Sequence, residues 1–219
     1  MPRIYVTGTD TDVGKTRVTA ALARALHEAG EPTTIVKLVQ TGLGPYEPGD
    51  AQIAAALAGC DAVEYRRLPK PADPWNAARA AGEEPERASA LAARLCALPG
   101  SVVVEGSGGA AVPLNERETI TDVAREAALE AVVVVGLRLG CISHARLTVE
   151  YLVHRGIPLL GLVLCERTAL DDRAYPGEVE DALRNWGAML GTIPFEVDAA
   201  ASVRRAADCF SSLGKSPDR

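Results

Sequence analysis

Residues 3–16 read Arg3-Ile-Tyr-Val-Thr-Gly8-Thr-Asp-Thr-Asp-Val-Gly14-Lys15-Thr16, and this stretch decides the fold class. A short apolar run leads into Gly8, a loop follows, and Lys15-Thr16 opens a segment with helical periodicity. The order is close to the phosphate-loop (P-loop) pattern G-x-x-x-x-G-K-[ST], with the leading glycine one position early. Backbone N–H groups at the start of such a helix favour an anion, and the lysine can reach the β- and γ-phosphates. A plain strand-to-helix turn through glycine would not need the Lys-Thr pair, so the stretch predicts a triphosphate site.

Outward from this loop, short aliphatic runs alternate with helical segments along the chain. The aliphatic runs occupy residues 3–7, 33–39, 101–104, 131–135, 159–164 and 189–193. The helical segments occupy residues 15–29, 50–57, 86–98, 121–129, 143–154, 177–186 and 199–210. Because the runs are too continuously apolar for strands with one wet face, they predict a mainly parallel sheet with helices on both faces. The predicted fold class is therefore α/β, a P-loop NTPase-type domain.

The length of 219 residues suits one such domain. We assign this single domain to residues 1–213 and expect a disordered C-terminal tail at 214–219. The proline-bearing stretch 65–77 is predicted to be the one long loop.

Composition and charge narrow the class of function. Apolar residues make up 47% of the chain and charged residues 24%, as in ordinary globular proteins. The formal net charge of −6 argues against a nucleic-acid partner, which needs a basic face. No apolar run approaches the roughly 20 residues that span a bilayer, and no signal-peptide pattern follows Met1. We therefore expect a cytoplasmic protein without a membrane partner.

Lys37 is the first candidate site residue beyond the P-loop. It ends the second apolar run in the segment Lys37-Leu-Val-Gln-Thr-Gly42. Ligands of open α/β sheets bind beyond the carboxyl ends of the strands, which is where this lysine stands. Because burying an unpaired ammonium is costly, Lys37 either faces the phosphate site or lies on an edge strand and extends to water.

Two acidic residues also follow apolar runs or open helices. Glu105 closes the run 101–104 before a glycine-rich turn, which suits either a carboxylate that orients Mg²⁺ or an acidic helix cap. Asp50 follows Pro48-Gly49, and on local grounds alone it is predicted to be a helix N-cap.

Other features keep two interpretations. Asp10 and Asp12 put negative charge into a loop that should hold phosphates, so they either point to solvent or cap the helix, or they face a cationic second substrate. The segment 136–144 leads into another helix whose N-terminus could take a carboxylate. Tyr175 stands at a helix start and has no role on local grounds.

Four segments together resemble the motif set of the ATP-dependent dethiobiotin synthetases. They are residues 8–16, 37–42, 104–109 and 139–144, and their order and spacing match over most of the chain. The resemblance implies an enzyme that closes the ureido ring of dethiobiotin from 7,8-diaminononanoate, CO₂ and ATP with Mg²⁺. It also implies a carbamate intermediate, a carbamic-phosphoric anhydride and a homodimer.

By position, the resemblance implies which residues are catalytic and which hold the nucleotide, Mg²⁺ and the diamine. The catalytic residues would be Lys37 and Lys15. The nucleotide would be held by Asp12, Val13, Gly14, Lys15, Thr16, Arg17, Asp50, Glu105, Gly106, Ser107, Gly108, Cys165, Glu166, Pro194, Phe195 and Glu196. Mg²⁺ would be held by Thr16, Asp50 and Glu105. The diamine would contact Thr11 and Thr41, and its carboxylate would meet Gly140, Cys141, Ile142, Ser143 and Tyr175 contributed by the other subunit.

The chain departs from the family pattern in three places. Cys165-Glu166 stands where an adenine-reading asparagine is usual, Asp73-Pro74-Trp75 replaces a Ser-Pro-His sequence, and Ser143 replaces an asparagine. Triphosphate chemistry is thus better supported than a preference for adenine. The alternative function is a P-loop ATPase dimerisation switch of the partition-protein type, which would carry a second lysine where Asp10 stands.

Overall fold

The computed structural model describes residues 1–213 and arranges them around a seven-stranded sheet. The strands in those residues are β1 (Arg3–Gly8), β2 (Thr33–Lys37), β3 (Gln40–Thr41), β4 (Asp61–Glu64), β5 (Arg67–Leu68), β6 (Ser101–Glu105), β7 (Glu130–Gly136), β8 (Leu159–Cys165) and β9 (Met189–Ile193). The large sheet has the order β4-β2-β6-β1-β7-β8-β9 with parallel neighbours, and β3 and β5 form a separate parallel pair. The predicted α/β fold class is confirmed.

Helices cover both faces of this sheet. They are α1 (Lys15–Glu28), α2 (Asp50–Ala58), α3 (Pro74–Ala81), α4 (Ala88–Cys96), α5 (Ile120–Glu126), α6 (Cys141–His154), α7 (Tyr175–Leu183) and α8 (Ala199–Ala207), the last followed by a 3₁₀ turn at Asp208–Phe210. One core lies under α1, α2 and α8, and the other lies under α3 to α7. Val103 faces the first core, whereas Val102 and Val104 face the second, so β6 is buried on both faces. None of the helices described has the length and apolar character needed to cross a bilayer.

Several predicted boundaries are wrong. The stretch 65–77 is not one long loop, because it contains β5 and the first turn of α3. Asp73 caps α3 by accepting the N–H of Asn76 at 3.0 Å, and Pro74 occupies the first helical position, where a missing N–H costs nothing. The predicted run 33–39 ends at residue 37. The tail predicted at 214–219 lies outside the described residues, so the domain limits stay a prediction.

Strand register brings the candidate residues to one edge of the sheet. Lys37 on β2 lies beside Glu105 on β6 and beside Glu64 on β4. Residues in register on parallel strands project to the same face, so these three side chains are neighbours. On the other side of β6 lies β1, which leads into the P-loop. The carboxyl edge therefore gathers the P-loop, Lys37 and Glu105.

Candidate active site

The P-loop is shaped by its glycines. Gly14 has φ of 103°, and a Cβ there would collide with the Cys165 sulfur on β8. A Cβ on Gly8 would lie 2.6 Å from the Val13 side chain. Because Gly14 is also the N-cap residue of α1, its lack of a side chain leaves the first turn of that helix open to an anion. The nearly buried Lys15 folds back over the loop, and its Nζ donates to the Asp10 carbonyl at 2.8 Å.

Lys37 is at the centre of a buried ion cluster. Its Nζ lies 2.6 Å from Asp50 Oδ2 and 3.0 Å from Glu105 Oε1, and it donates to the Gly106 carbonyl at 3.2 Å. The residue is only 3% exposed, and β2 is flanked by β4 and β6, so the edge-strand interpretation of Lys37 is wrong. All of the contacts point towards the P-loop end of the sheet.

Asp50 and Glu105 serve this cluster and do not cap helices. Asp50 is the first residue of α2, with Gly49 at the N-cap, and its carboxylate contacts Lys37. The predicted N-cap role of Asp50 is therefore wrong. Glu105 is the last residue of β6, so its interpretation as a helix cap is also wrong. The N–H of Asp50 donates to Gln40 Oε1 at 2.9 Å, which ties the start of α2 to β3.

The two lysines differ in electrostatics. Burial alone would lower the pKa of Lys37, but the carboxylates of Glu105 and Asp50 outweigh it and hold that pKa above its usual range. Burial, assisted by the charge of Lys37, lowers the pKa of Lys15 to about 8. A bound polyphosphate would favour the charged form of Lys15 again, because an opposite charge nearby raises the pKa of an amine. Lys15 therefore gains positive charge when an anion binds, whereas Lys37 is already fully charged.

The oxygen donors beside the cluster suit a hard cation. The Thr16 hydroxyl donates to Glu105 Oε1 at 3.1 Å, and Glu105 Oε2 is buried without a hydrogen-bond partner. Among residues 1–213, no group of three or more His, Cys, Asp or Glu could hold a metal ion by itself. Mg²⁺ usually takes one or two carboxylates and completes its shell with water and substrate phosphates, so Thr16, Asp50 and Glu105 fit it.

A cavity of about 340 Å³ opens over these residues. Its lining includes twelve residues named from the sequence: Thr11, Asp12, Gly14, Lys15, Thr16, Arg17, Lys37, Thr41, Asp50, Glu105, Ser107 and Gly108. Gln40, Leu43 and Arg167 also line it and were not predicted. Gln40 stood inside a quoted motif, whereas nothing in the sequence signalled Leu43 or Arg167.

A second cavity of about 420 Å³ adjoins the first. The two share Thr11, Thr41, Ser107 and Gly108. The second adds a largely apolar wall with one carboxylate, formed by Pro71, Ala72, Val112 and Asp73. Thr11 and Thr41, predicted to contact the diamine, thus lie where the chambers meet.

The predicted carboxylate-binding residues lie together but line neither cavity within the described residues. Gly140 has φ of 89° and precedes Cys141, where α6 begins. The Tyr175 hydroxyl donates to the Arg138 carbonyl at 2.8 Å and lies 3.5 Å from the Cys141 sulfur. Ile142 is partly buried, and Ser143 is exposed. Within one chain, these residues therefore lie beside the candidate active site and do not line it.

The acidic P-loop residues have different surroundings. The Asp10 carboxylate pairs with Arg138 at 2.6 Å, and about half of each side chain is exposed. Asp12 lines the main cavity. Neither residue caps α1, whose N-cap is Gly14, so that interpretation is wrong. For Asp12, the interpretation that it faces a second substrate stays open.

The remaining residues predicted to hold the nucleotide lie at the ends of β8 and β9. Cys165 is buried against Gly14, and Glu166 Oε2 accepts the N–H of Phe195 at 3.1 Å. Pro194 precedes Phe195, and Glu196 pairs with Arg205 at 2.9 Å. Their contact with a nucleotide stays a prediction, as does that of Val13 and Gly106, which adjoin the cavity lining.

Comparison with known proteins gives two kinds of likeness. A family model described as an AAA domain matches residues 2–202. The protein named ATP-dependent dethiobiotin synthetase BioD from Anaeromyxobacter dehalogenans (strain 2CP-C) is 40% identical over 215 residues, which covers 93% of this chain and 95% of that protein. The protein of the same name from Streptomyces coelicolor is 40% identical over 200 residues, covering 89% of this chain and 84% of that protein.

Two solved structures of low sequence identity resemble the chain in fold. The cell division ATPase MinD of Pyrococcus furiosus superposes with a TM-score of 0.64 at 20% identity, covering 97% of this chain and all of that one. A putative plasmid partition protein of Borrelia burgdorferi bound to AMPPNP gives a TM-score of 0.59 at 10% identity, covering 97% of this chain and 98% of that one. At such identities the shared P-loop architecture explains the likeness.

Proposed function

The chain belongs to the family of ATP-dependent dethiobiotin synthetases and is an ATP-dependent ligase of biotin biosynthesis, and on this premise we propose how its residues divide the reaction. The observation that carries the proposal is the convergence of Lys15, Lys37, Asp50 and Glu105 on one cavity that adjoins a second chamber. The partition-type switch shares the fold, but the sequence relatives favour the ligase.

The reaction needs no nucleophile from the protein. One amine of 7,8-diaminononanoate adds to CO₂ and loses a proton, which gives a carbamate. A carbamate oxygen attacks the γ-phosphorus of ATP, and ADP leaves. The second amine then attacks the carbonyl carbon of the mixed anhydride and loses a proton. The new C–N bond closes the ring, and inorganic phosphate leaves as the C–O bond breaks. Catalysis reduces to positioning and to neutralising negative charge.

Lys37 is the proposed catalytic ammonium. Its raised pKa keeps it charged, and its position in the wall of the main cavity lets it stabilise charge on both the carbamate and the γ-phosphate. Lys15 holds the β- and γ-phosphates together with the backbone amides of α1. Arg17 and Arg167 line the same cavity and add positive charge on the α1–β8 side.

Thr16, Asp50 and Glu105 are the proposed Mg²⁺ ligands. The unpartnered Glu105 Oε2 supports this assignment, because a buried carboxylate oxygen without a donor is costly unless a cation satisfies it. The metal would neutralise charge on the triphosphate oxygens.

The second cavity is the proposed place for the diamine. Thr11 and Thr41 join it to the triphosphate side, and its apolar wall suits an aliphatic chain. Asp12 in the main cavity and Asp73 in the second add negative charge that favours a protonated amine. The replacement of Ser-Pro-His by Asp73-Pro74-Trp75 thus falls in the wall of the proposed substrate chamber.

A homodimer would complete the site on its carboxylate side. The segment 140–143 and Tyr175 line neither cavity in the described part of one chain, yet exposed apolar side chains lie just before α6 and along it. Leu139 is 91% exposed, Leu147 61% and Val153 62%. Exposed apolar side chains at the start of α6 and along it favour contact with a second copy, whose α6 N-terminus could then receive the substrate carboxylate.

The direct test is phosphate release by the purified protein, with ATP, CTP and GTP compared in parallel. We expect release only when diaminononanoate and bicarbonate are both present. Phosphate release that does not depend on the diamine would contradict the roles proposed for these residues. Equal rates with ATP and CTP would agree with the absence of the adenine-reading asparagine.

A further inference from the structure

Arg67 on β5 uses its whole guanidinium to tie a loop to the sheet. Its Nε and Nη2 donate to the two carboxylate oxygens of Glu64, at 2.7 and 2.8 Å. Its Nη1 donates to the carbonyls of Gly44 and Glu47, both at 2.6 Å. Such a planar fork with a bidentate carboxylate is among the strongest side-chain arrangements in proteins. Arg67 lines neither cavity at the candidate active site in the described part of the chain.

The tied loop, residues 42–49, leads directly into the ion cluster. It begins after β3 and delivers Asp50, the partner of Lys37, at the first position of α2. A Cβ on Gly49 would collide with Glu64 Oε2 and lie 2.9 Å from Arg67 Nη2, so the ion pair is packed against the backbone before Asp50. The same loop carries Leu43, which lines the main cavity.

Register explains why the pair is in this place. Glu64 lies beside Lys37 in the sheet, so the residue that fixes Arg67 is itself fixed one strand away from the catalytic ammonium. Within the loop, Gly44 and Glu47 also bond to each other, but that contact does not join the loop to the sheet. At the two ends of the loop, the Gly42 N–H donates to the Leu68 carbonyl and the Asp50 N–H donates to Gln40. The guanidinium connects the middle of the loop, at Gly44 and Glu47, to β5 and through Glu64 to β4.

We propose that Arg67 is a positioning residue, which through Glu64 and the carbonyls of Gly44 and Glu47 holds the 42–49 loop so that Asp50 meets Lys37. The inference rests on the proposed roles of Asp50 and Lys37. Loss of Arg67 would leave the P-loop intact and let Asp50 shift. Small shifts of a reacting constellation are enough to reduce turnover strongly.

Arg66 provides a matched control. It is the preceding residue, is about as buried, and makes a similar set of bonds, to the Glu84 carbonyl, Glu83 and Glu86. Those bonds tie the connection between α3 and α4, which lines neither cavity in the described part of the chain. Arg66→Ala therefore removes an equivalent tie without touching the route to Asp50.

The experiment compares Arg67→Ala and Arg66→Ala with the unaltered protein. We expect Arg67→Ala to lower kcat by at least about tenfold and Arg66→Ala to change it by less than about twofold, with similar losses of thermal stability. Hydrogen–deuterium exchange without ligands should accelerate in residues 43–50 only in Arg67→Ala. ADP binding without Mg²⁺ should stay within about threefold in both, because neither variant touches the P-loop.

If Arg67→Ala fails to fold, Arg67→Lys and Glu64→Gln replace it in the comparison with Arg66→Ala. Lysine keeps the charge but lacks the fork, so Arg67→Lys should give an intermediate kcat and intermediate exchange. The proposal is overturned if the Arg67 variants match Arg66→Ala in kcat, or if exchange in 43–50 is the same in both. Failure of the proposed function would appear instead as diamine-independent phosphate release by the unaltered protein, and the exchange comparison would still decide whether Arg67 holds the loop.

Discussion

The proposed triphosphate side and the proposed carboxylate side of the site are built differently. On the triphosphate side, Lys15, Lys37 and Glu105 are nearly buried. Lys37 and Glu105 stand on strand ends in register, and Lys15 begins α1. On the carboxylate side, residues 140–143 and Tyr175 border exposed apolar surface and line neither cavity in the described part of the chain. The difference favours the proposal that one chain completes the phosphoryl-transfer half by itself and that a second copy supplies the other half.

Replacing Lys37 should have the largest effect. We expect Lys37→Ala to reduce kcat by about a thousandfold, because it removes the charge proposed to stabilise the transferred phosphoryl group. It also leaves the Asp50 and Glu105 carboxylates facing each other, so thermal unfolding must be measured alongside. Lys37→Arg, which keeps the charge, should preserve more stability than activity. Turnover that survives in Lys37→Ala would contradict the catalytic role proposed for Lys37 on the triphosphate side.

Glu105 tests the metal assignment on the same side. Glu105→Gln should lower kcat by about a hundredfold and raise the Mg²⁺ concentration needed for half-maximal rate, because an amide is a weaker ligand for a hard cation. ADP binding measured by calorimetry should lose its dependence on Mg²⁺ while metal-free binding persists. An unchanged Mg²⁺ titration would assign the metal to other residues.

Leu147 tests the carboxylate side. Leu147→Asp puts a charge on the exposed face of α6, so we expect loss of the proposed dimer by analytical ultracentrifugation, with the chain still folded by circular dichroism. The KM for the diamine should then rise by about tenfold, more than kcat falls, because a uniform binding contact is lost.

Val197→Asp is the control for Leu147→Asp, since Val197 is 93% exposed and lies outside α6. It should leave the assembly state unchanged. A monomeric native protein, or full diamine affinity in a monomeric variant, would contradict the two-copy site.

The smallest effect is expected from Arg138, which pairs with Asp10 between the two sides. Both side chains are about half exposed, and exposed pairs contribute roughly 0.2–1 kcal/mol. Arg138→Ala should therefore change kcat/KM by less than about fivefold, and moderate salt should reduce the difference further. A larger, salt-independent loss would show that the two sides are coupled through this pair.

Local patterns in the sequence predicted the parts of the site that lie on regular elements. The glycines and the Lys-Thr pair predicted the P-loop, and Lys37 and Glu105 were found because each ends an apolar run. Asp50 was assigned to the wrong local role, since the residues around it resemble an ordinary helix start. β4 and β5 were missed because they are short and largely polar.

The sequence by itself determined a P-loop α/β protein with a triphosphate site, because glycine placement and buried aliphatic runs restrict the backbone locally. Only the tertiary structure decided that Asp50 pairs with Lys37, that Arg67 holds the loop before Asp50, and that Arg167 faces the cavity. Those contacts depend on strand register and on loop paths between residues far apart in the chain, and no local pattern encodes either.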